Sequence, residues 1–238
     1  MRSLILSLSV AAVAVIGLAC GKGDNKNVAT QHKSVQVDSV PVTDSATRYT
    51  KLTDADFAIV AKELGVEIEA IKAVVLIEAG SSMKGFWAPG IPVINFDRSM
   101  YNRFRSKVAD RSGSKDEKMP SGLTGYAQQE WSQYIHASRV NAQGAKMGTF
   151  WGMFQIGGFN YKICGCDSVD EMVRLMSYSE LEQLELFATF ITNAGMLQDL
   201  KNKNWSAFAR KYNGASYARR GYHTKMASAY ARLKKNKN

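Results

Sequence analysis

Cysteine and histidine are scarce, with three of each in 238 residues. His32, His136 and His223 show no ligand spacing, and Cys164 and Cys166 are too few to complete a metal site. No metal or other cofactor is therefore expected. A disulfide between Cys164 and Cys166 would close over one residue and be strained, so both are read as small buried thiols without assigned chemistry. The chain has no internal repeat and no arginine-rich reading helix, since its basic residues are spread out apart from a tail at 232–237. That pattern argues against a nucleic-acid partner. No apolar run reaches the ~20 residues that a membrane-spanning helix needs.

One shorter apolar run is present at the N-terminus, where residues 1–19 carry a single cation, Arg2, and end in small residues before Cys20. This is the layout of a cleaved signal peptide. Gly17-Leu18-Ala19-Cys20 resembles a bacterial lipobox, with Gly17 where a larger aliphatic is usual, so Cys20 is the expected site of lipid attachment. Residues 20–48 are polar, without apolar periodicity, and read as a flexible tether spanning on the order of 30 Å. The remainder, 49–238, is one domain. An exported lipoprotein of the cell envelope is the expectation, held to the membrane through Cys20. The formal charge of +10 falls only to +9 when Arg2 is removed, which suits an extracytoplasmic polyanion such as the cell wall.

The domain reads as mainly helical. Thr53 is an N-cap, Phe57, Val60, Ala61 and Leu64 repeat at helical spacing, and Gly65 is a stop. A second helix is expected over 67–79, a turn at Pro89-Gly90 and an extended piece over 91–96. Further helices are expected over 127–143, 151–156, 169–176, 179–193, 205–212 and 222–233. The expected class is mainly α (α+β), with one small β-hairpin after the second helix.

Glu78 extends the apolar stripe of that second helix, seven positions after Ile71 and beside Val74 and Val75. Burial disfavours its ionised form, and the negative end of the helix dipole acts in the same direction. A carboxyl still protonated near neutral pH is suited to general-acid work. The alternative is a solvated Glu, or one paired with Lys72 or Lys84. Three segments add to it. Trp151-Gly152-Met153-Phe154-Gln155-Ile156 sets an amide among aromatics, as a saccharide site does, although periodicity alone would make it a core helix. Lys211-Tyr212-Asn213-Gly214 ends a helix, and Asn213 reads most simply as a capping residue. Asn95-Phe96-Asp97-Arg98 supplies a second carboxylate, 19 positions after Glu78, with a salt bridge to Arg98 or Arg103 as its alternative. Glu130 is a weaker candidate on a helix face.

Segments 73–80 (AVVLIEAG), 92–98 (PVINFDR), 151–161 (WGMFQIGGFNY), 207–214 (AFARKYNG) and 217–230 (YARRGYHTKMASAY) together resemble the N-acetylmuramidase domain of phage endolysins and bacterial relatives. More distantly they are similar to goose-type lysozymes and lytic transglycosylases. The resemblance implies a lysozyme-like helical domain that hydrolyses the β-1,4 bond between N-acetylmuramic acid and N-acetylglucosamine in peptidoglycan glycan strands. It places the catalytic Glu on Glu78 and the glutamine of the Phe-Gln-Ile run on Gln155. The Tyr-Asn pair falls on Tyr212 and Asn213, while Trp151 and Phe154 would line the cleft. Where the family has Phe-Glu-Arg this chain has Phe96-Asp97-Arg98, one methylene shorter. Two other outcomes share these residues: lytic transglycosylation to anhydro-muramic ends, and a non-catalytic peptidoglycan-binding lipoprotein.

Overall fold

Thr53 opens the first helix, α1 (Asp54–Leu64), through a reciprocal capping box with Asp56, and Gly65 closes it at φ 62°. The computed structural model describes residues 49, 51–80 and 83–236. The signal peptide (1–19), Cys20 and the tether (20–48) lie outside the described residues.

The second helix, α2 (Ile68–Glu78), is the spine of the domain. Ala70, Ile71, Ala73, Val74 and Val75 are fully buried in it, which leaves Glu78 at the end of an apolar column. The C-terminal helix α10 (Tyr222–Lys235) packs along α2. Glu67, just before α2, ties the two together by accepting from Tyr230 Oη and Lys234 Nζ at 2.8 Å and from Lys203 Nζ at 2.6 Å. These partners hold its carboxyl down at about 2.

Two small sheets follow α2. Strands β1 (Phe86–Ala88) and β2 (Ile91–Pro92) form a hairpin around Pro89-Gly90. The next strand, β3 (Ile94–Phe96), leads into helix α3 (Arg98–Phe104) and belongs to a separate antiparallel sheet. Helices α4 (Gly125–Ser138) and α5 (Ala142–Met147) come next, split by the N-cap Asn141, where the sequence suggests one longer helix.

The expected helix over 151–156 is instead a second hairpin. Strand β4 (Thr149–Trp151) pairs with β3 on one side and with β5 (Ile156–Gly157) on the other, in the order β3-β4-β5. Gly152 at φ 70° and Gln155 at φ 49° are left-handed, which breaks the helical path. The remaining helices are α6 (Val169–Met176), α7 (Glu180–Asn193), a short α8 (Leu197–Lys201) that was not anticipated, and α9 (Trp205–Asn213). The domain is mainly α and lysozyme-like, with a small sheet at its centre.

Candidate active site

Glu78 sits half-buried at the C-terminal end of α2. Its Oε1 accepts from Asn213 Nδ2 at 2.9 Å, across 135 residues of sequence. Burial pushes the carboxyl up to about 7, and the Asn213 hydrogen bond opposes only part of that rise. Of the alternative partners, Lys72 pairs with Asp54 instead, at 2.5 Å. Asn213 is therefore more than a capping residue. It ends α9, and the turn at Gly214 (φ 73°) follows it.

Tyr212, beside Asn213, is fully buried and donates from its hydroxyl to the Phe154 carbonyl at 2.7 Å. This bond joins α9 to the turn between β4 and β5. In that turn Gln155 is buried, its Nε2 donating to the Gly152 carbonyl at 2.8 Å. Gln155 Oε1 and Asn213 Oδ1 are both buried acceptors without a hydrogen-bond partner among the described residues. An unpartnered buried acceptor is costly, and each is suited to taking a hydroxyl or amide hydrogen from a ligand. A non-glycine residue at φ 49° with such an oxygen is also where functional strain tends to collect.

The aromatic residues expected to line a cleft do not line one. Trp151 is 1% exposed and donates from Nε1 to the Lys146 carbonyl, and Phe154 is 0% exposed, stacked on Phe187 at 4.3 Å. Both are packed into the core, Trp151 in a strand buried on both faces and Phe154 in the left-handed turn after it, so they support the site from behind.

Asp97 caps α3. Its Oδ1 accepts from Ser99 N at 2.8 Å, Met100 N at 3.0 Å and Ser99 Oγ at 2.6 Å. Neither Arg98 nor Arg103 forms an ion pair with it among the described residues. Glu130 is buried on α4 and accepts from Phe96 N at 2.7 Å, which pins β3 to the helix, and burial raises its carboxyl.

Two buried residues missed in the sequence hold the site's loops. Gln183 on α7 accepts from Met153 N at 2.8 Å and donates to the carbonyls of Gly85 at 3.2 Å and Met176 at 2.8 Å. It thereby fixes the entry to β1 and the β4–β5 turn together. A Cβ on Gly152 would meet the Gln183 side chain at 2.8 Å, so the turn approaches Gln183 as closely as only glycine allows. Glu180 accepts from Gly85 N at 2.8 Å and Leu52 N at 3.0 Å. The available signal was polar residues at 180 and 183 on the apolar face of a helix that continues through Phe187 and Phe190. Tyr222 was also missed: it is buried at the start of α10, and the charge of Glu78 contributes to raising its hydroxyl.

The family model described as Muramidase, N-acetylmuramidase, matches residues 67–234. The chain is also similar to the crystal structure of a Burkholderia AP3 phage endolysin, at 35% identity and a TM-score of 0.64, over 80% of this chain and 73% of that one. No match is found among curated proteins. The matched stretch takes in Glu78, Gln155 and Asn213 and runs through most of the domain built around them; the chain belongs to the N-acetylmuramidase family.

Proposed function

We propose that this peptidoglycan hydrolase cleaves the β-1,4 bond between N-acetylmuramic acid and N-acetylglucosamine, with Glu78 as the general acid. The observation that carries the reading is a half-buried carboxyl raised to about 7 and held by Asn213. Near neutral pH a large share of Glu78 carries a proton, and Asn213 Nδ2 occupies one face of Oε1, fixing the carboxyl plane. The proton passes from Glu78 to the glycosidic oxygen as the bond from that oxygen to the anomeric carbon breaks. A water oxygen bonds to the anomeric carbon and the water's proton is released, so that one water is consumed and Glu78 is reprotonated from solvent. Transfer of this kind is worth roughly 10²–10⁴-fold in rate. Gln155 Oε1 and Asn213 Oδ1 accept from substrate N–H or O–H groups, which orients the sugar before transfer.

Family membership supports the choice of bond, and the Asn213 amide beside Glu78 supports a sugar ligand. We also propose that Cys20 anchors the enzyme in the cell envelope, supported by the apolar run that ends at Cys20. The test is digestion of purified sacculi by parent and Glu78→Gln proteins, with a pull-down on the same sacculi and mass analysis of products. Expected are a Gln variant that folds and binds but releases no soluble muropeptides, and parent products with reducing muramic ends. A Gln variant digesting at near the parental rate overturns the role of Glu78. Muramic ends lighter by one water overturn hydrolysis in favour of transglycosylation.

A further inference from the structure

Helices α3 and α4 face each other across a cavity of ≈ 210 Å³ that shares no lining residue with Glu78, Gln155 or Asn213. Arg98 opens α3 and Arg105 caps its C-terminal end, while His136 lies in the last turn of α4 and Val140 two residues past that helix. The floor is Phe96 and Tyr101, which are 8% and 6% exposed. Tyr101 Oη donates to the Ala137 carbonyl at 3.4 Å, so the floor is fixed to both walls. Arg105 lies over the Tyr101 ring with Cζ 5.5 Å from its centroid. Neither arginine forms an ion pair among the described residues. Val140 is 58% exposed at one end, an apolar side chain left in water beside cations.

We propose that this cavity binds the short, carboxylate-bearing peptide carried by muramic acid residues of peptidoglycan. Two guanidinium groups without an ion pair suit carboxylates, which they grip in a planar, two-bond geometry. An aromatic floor and an exposed valine suit the methyl and methylene groups between those carboxylates. A stripped glycan strand offers only the single lactyl carboxylate of each muramic acid, without the run of methyl and methylene groups between successive carboxylates, and a simple polyanion would not use the apolar floor. The cavity also lies next to the catalytic framework: Phe96 ends β3, which pairs with β4, and β4 leads into the turn that carries Gln155. A peptide held there ties an enzyme to strands that still bear their stems. This inference rests on the muramidase reading for its substrate.

The experiment compares parent and Arg98→Gln/Arg105→Gln proteins on soluble glycan strands, either peptide-bearing or stripped by an amidase. Both arginines are exposed, so the fold should survive, and circular dichroism checks it. Expected is a rise in KM of about tenfold for the variant on peptide-bearing strands, with kcat unchanged and stripped strands cut equally by both proteins. Equal KM for parent and variant on peptide-bearing strands, or an equal loss on both substrates, overturns the proposal. A second arm titrates the synthetic peptide L-Ala-γ-D-Glu into the parent by NMR. Expected are shifts confined to residues 96–105 and 133–140, reduced in the variant; shifts absent, or the same in the variant, overturn the proposal. Should the parent cut neither substrate, the muramidase reading fails while this titration still decides the cavity.

Discussion

Replacing Glu78 by glutamine should make the protein more stable at pH 8 and leave its stability unchanged at pH 4. The folded carboxyl is raised from 4.5 to about 7, so the native state binds the proton more tightly than the unfolded chain does. The stability that Glu78 contributes is therefore greatest below 4.5, falls as pH rises from 4.5 through about 7, and levels off above. At about 1.4 kcal/mol per unit the rise corresponds to about 3 kcal/mol. Part of the carboxyl's surroundings is water, which screens it and lowers the figure to about 2 kcal/mol. Glutamine cannot ionise and keeps an oxygen for Asn213 Nδ2, so it escapes this cost without losing the hydrogen bond. For a chain of this size the gain is about 4–8 °C in melting temperature at pH 8. Calorimetry of both proteins at pH 4 and pH 8 measures it. A Gln variant that gains equally at both pH values, or gains nothing at pH 8, refutes a raised carboxyl at this position.

The parent's kcat/KM on glycan strands should fall about tenfold per pH unit above about 7, because the acid must be protonated in the free enzyme; a profile flat to pH 9 contradicts this. Asp97→Asn should keep both the α3 cap and most of the lytic activity, whereas Asp97→Ala should lose about 1 kcal/mol in a melting experiment. A folded Asp97→Asn protein that no longer cuts would make Asp97 a reacting carboxylate. Gln183→Leu should cost about 3 kcal/mol or more, because it strands buried backbone groups at Met153, Gly85 and Met176; a melting temperature equal to the parent's counts against its bridging role. Cys20→Ser should move the protein out of the membrane fraction, and unchanged fractionation counts against lipid attachment.

The helices with strong terminal chemistry could be read from the sequence. Thr53 with Asp56, Gly65 and Ser179 mark α1 and α7 because a cap is a local event of a few residues. Glu78 was also legible, since the stripe from Ile71 through Val75 dictates which way it points. The β4–β5 turn was not. Its aromatic spacing fits a helix, and what decides against one is pairing with β3, more than fifty residues earlier, together with two left-handed residues. The placing of Trp151 and Phe154 in a cleft came from the resemblance, whereas the periodicity of the run already pointed them to the core, where they lie. Asn213 looks like a helix stop until α9 is docked, because only docking brings it to Glu78. For Asp97 the sequence leaves a reacting carboxylate and an ion pair open, and the capping pattern from Asp97 to Ser99 and Met100 is a further role that the same few residues carry.

The bond between Asn213 and Glu78 spans 135 positions, and that between Tyr212 and Phe154 spans 58. Contacts this distant form late, after the loops between them have closed. Until then Glu78 is in water, with an ordinary carboxylate value, and is ionised at neutral pH. In the proposed mechanism a newly made chain therefore has no proton to deliver to a glycan. The enzyme becomes competent only when α9 and α10 dock onto α2. Competence in that mechanism is thus a product of the fold's topology, since the same residue in an unfolded chain is an ordinary carboxylate.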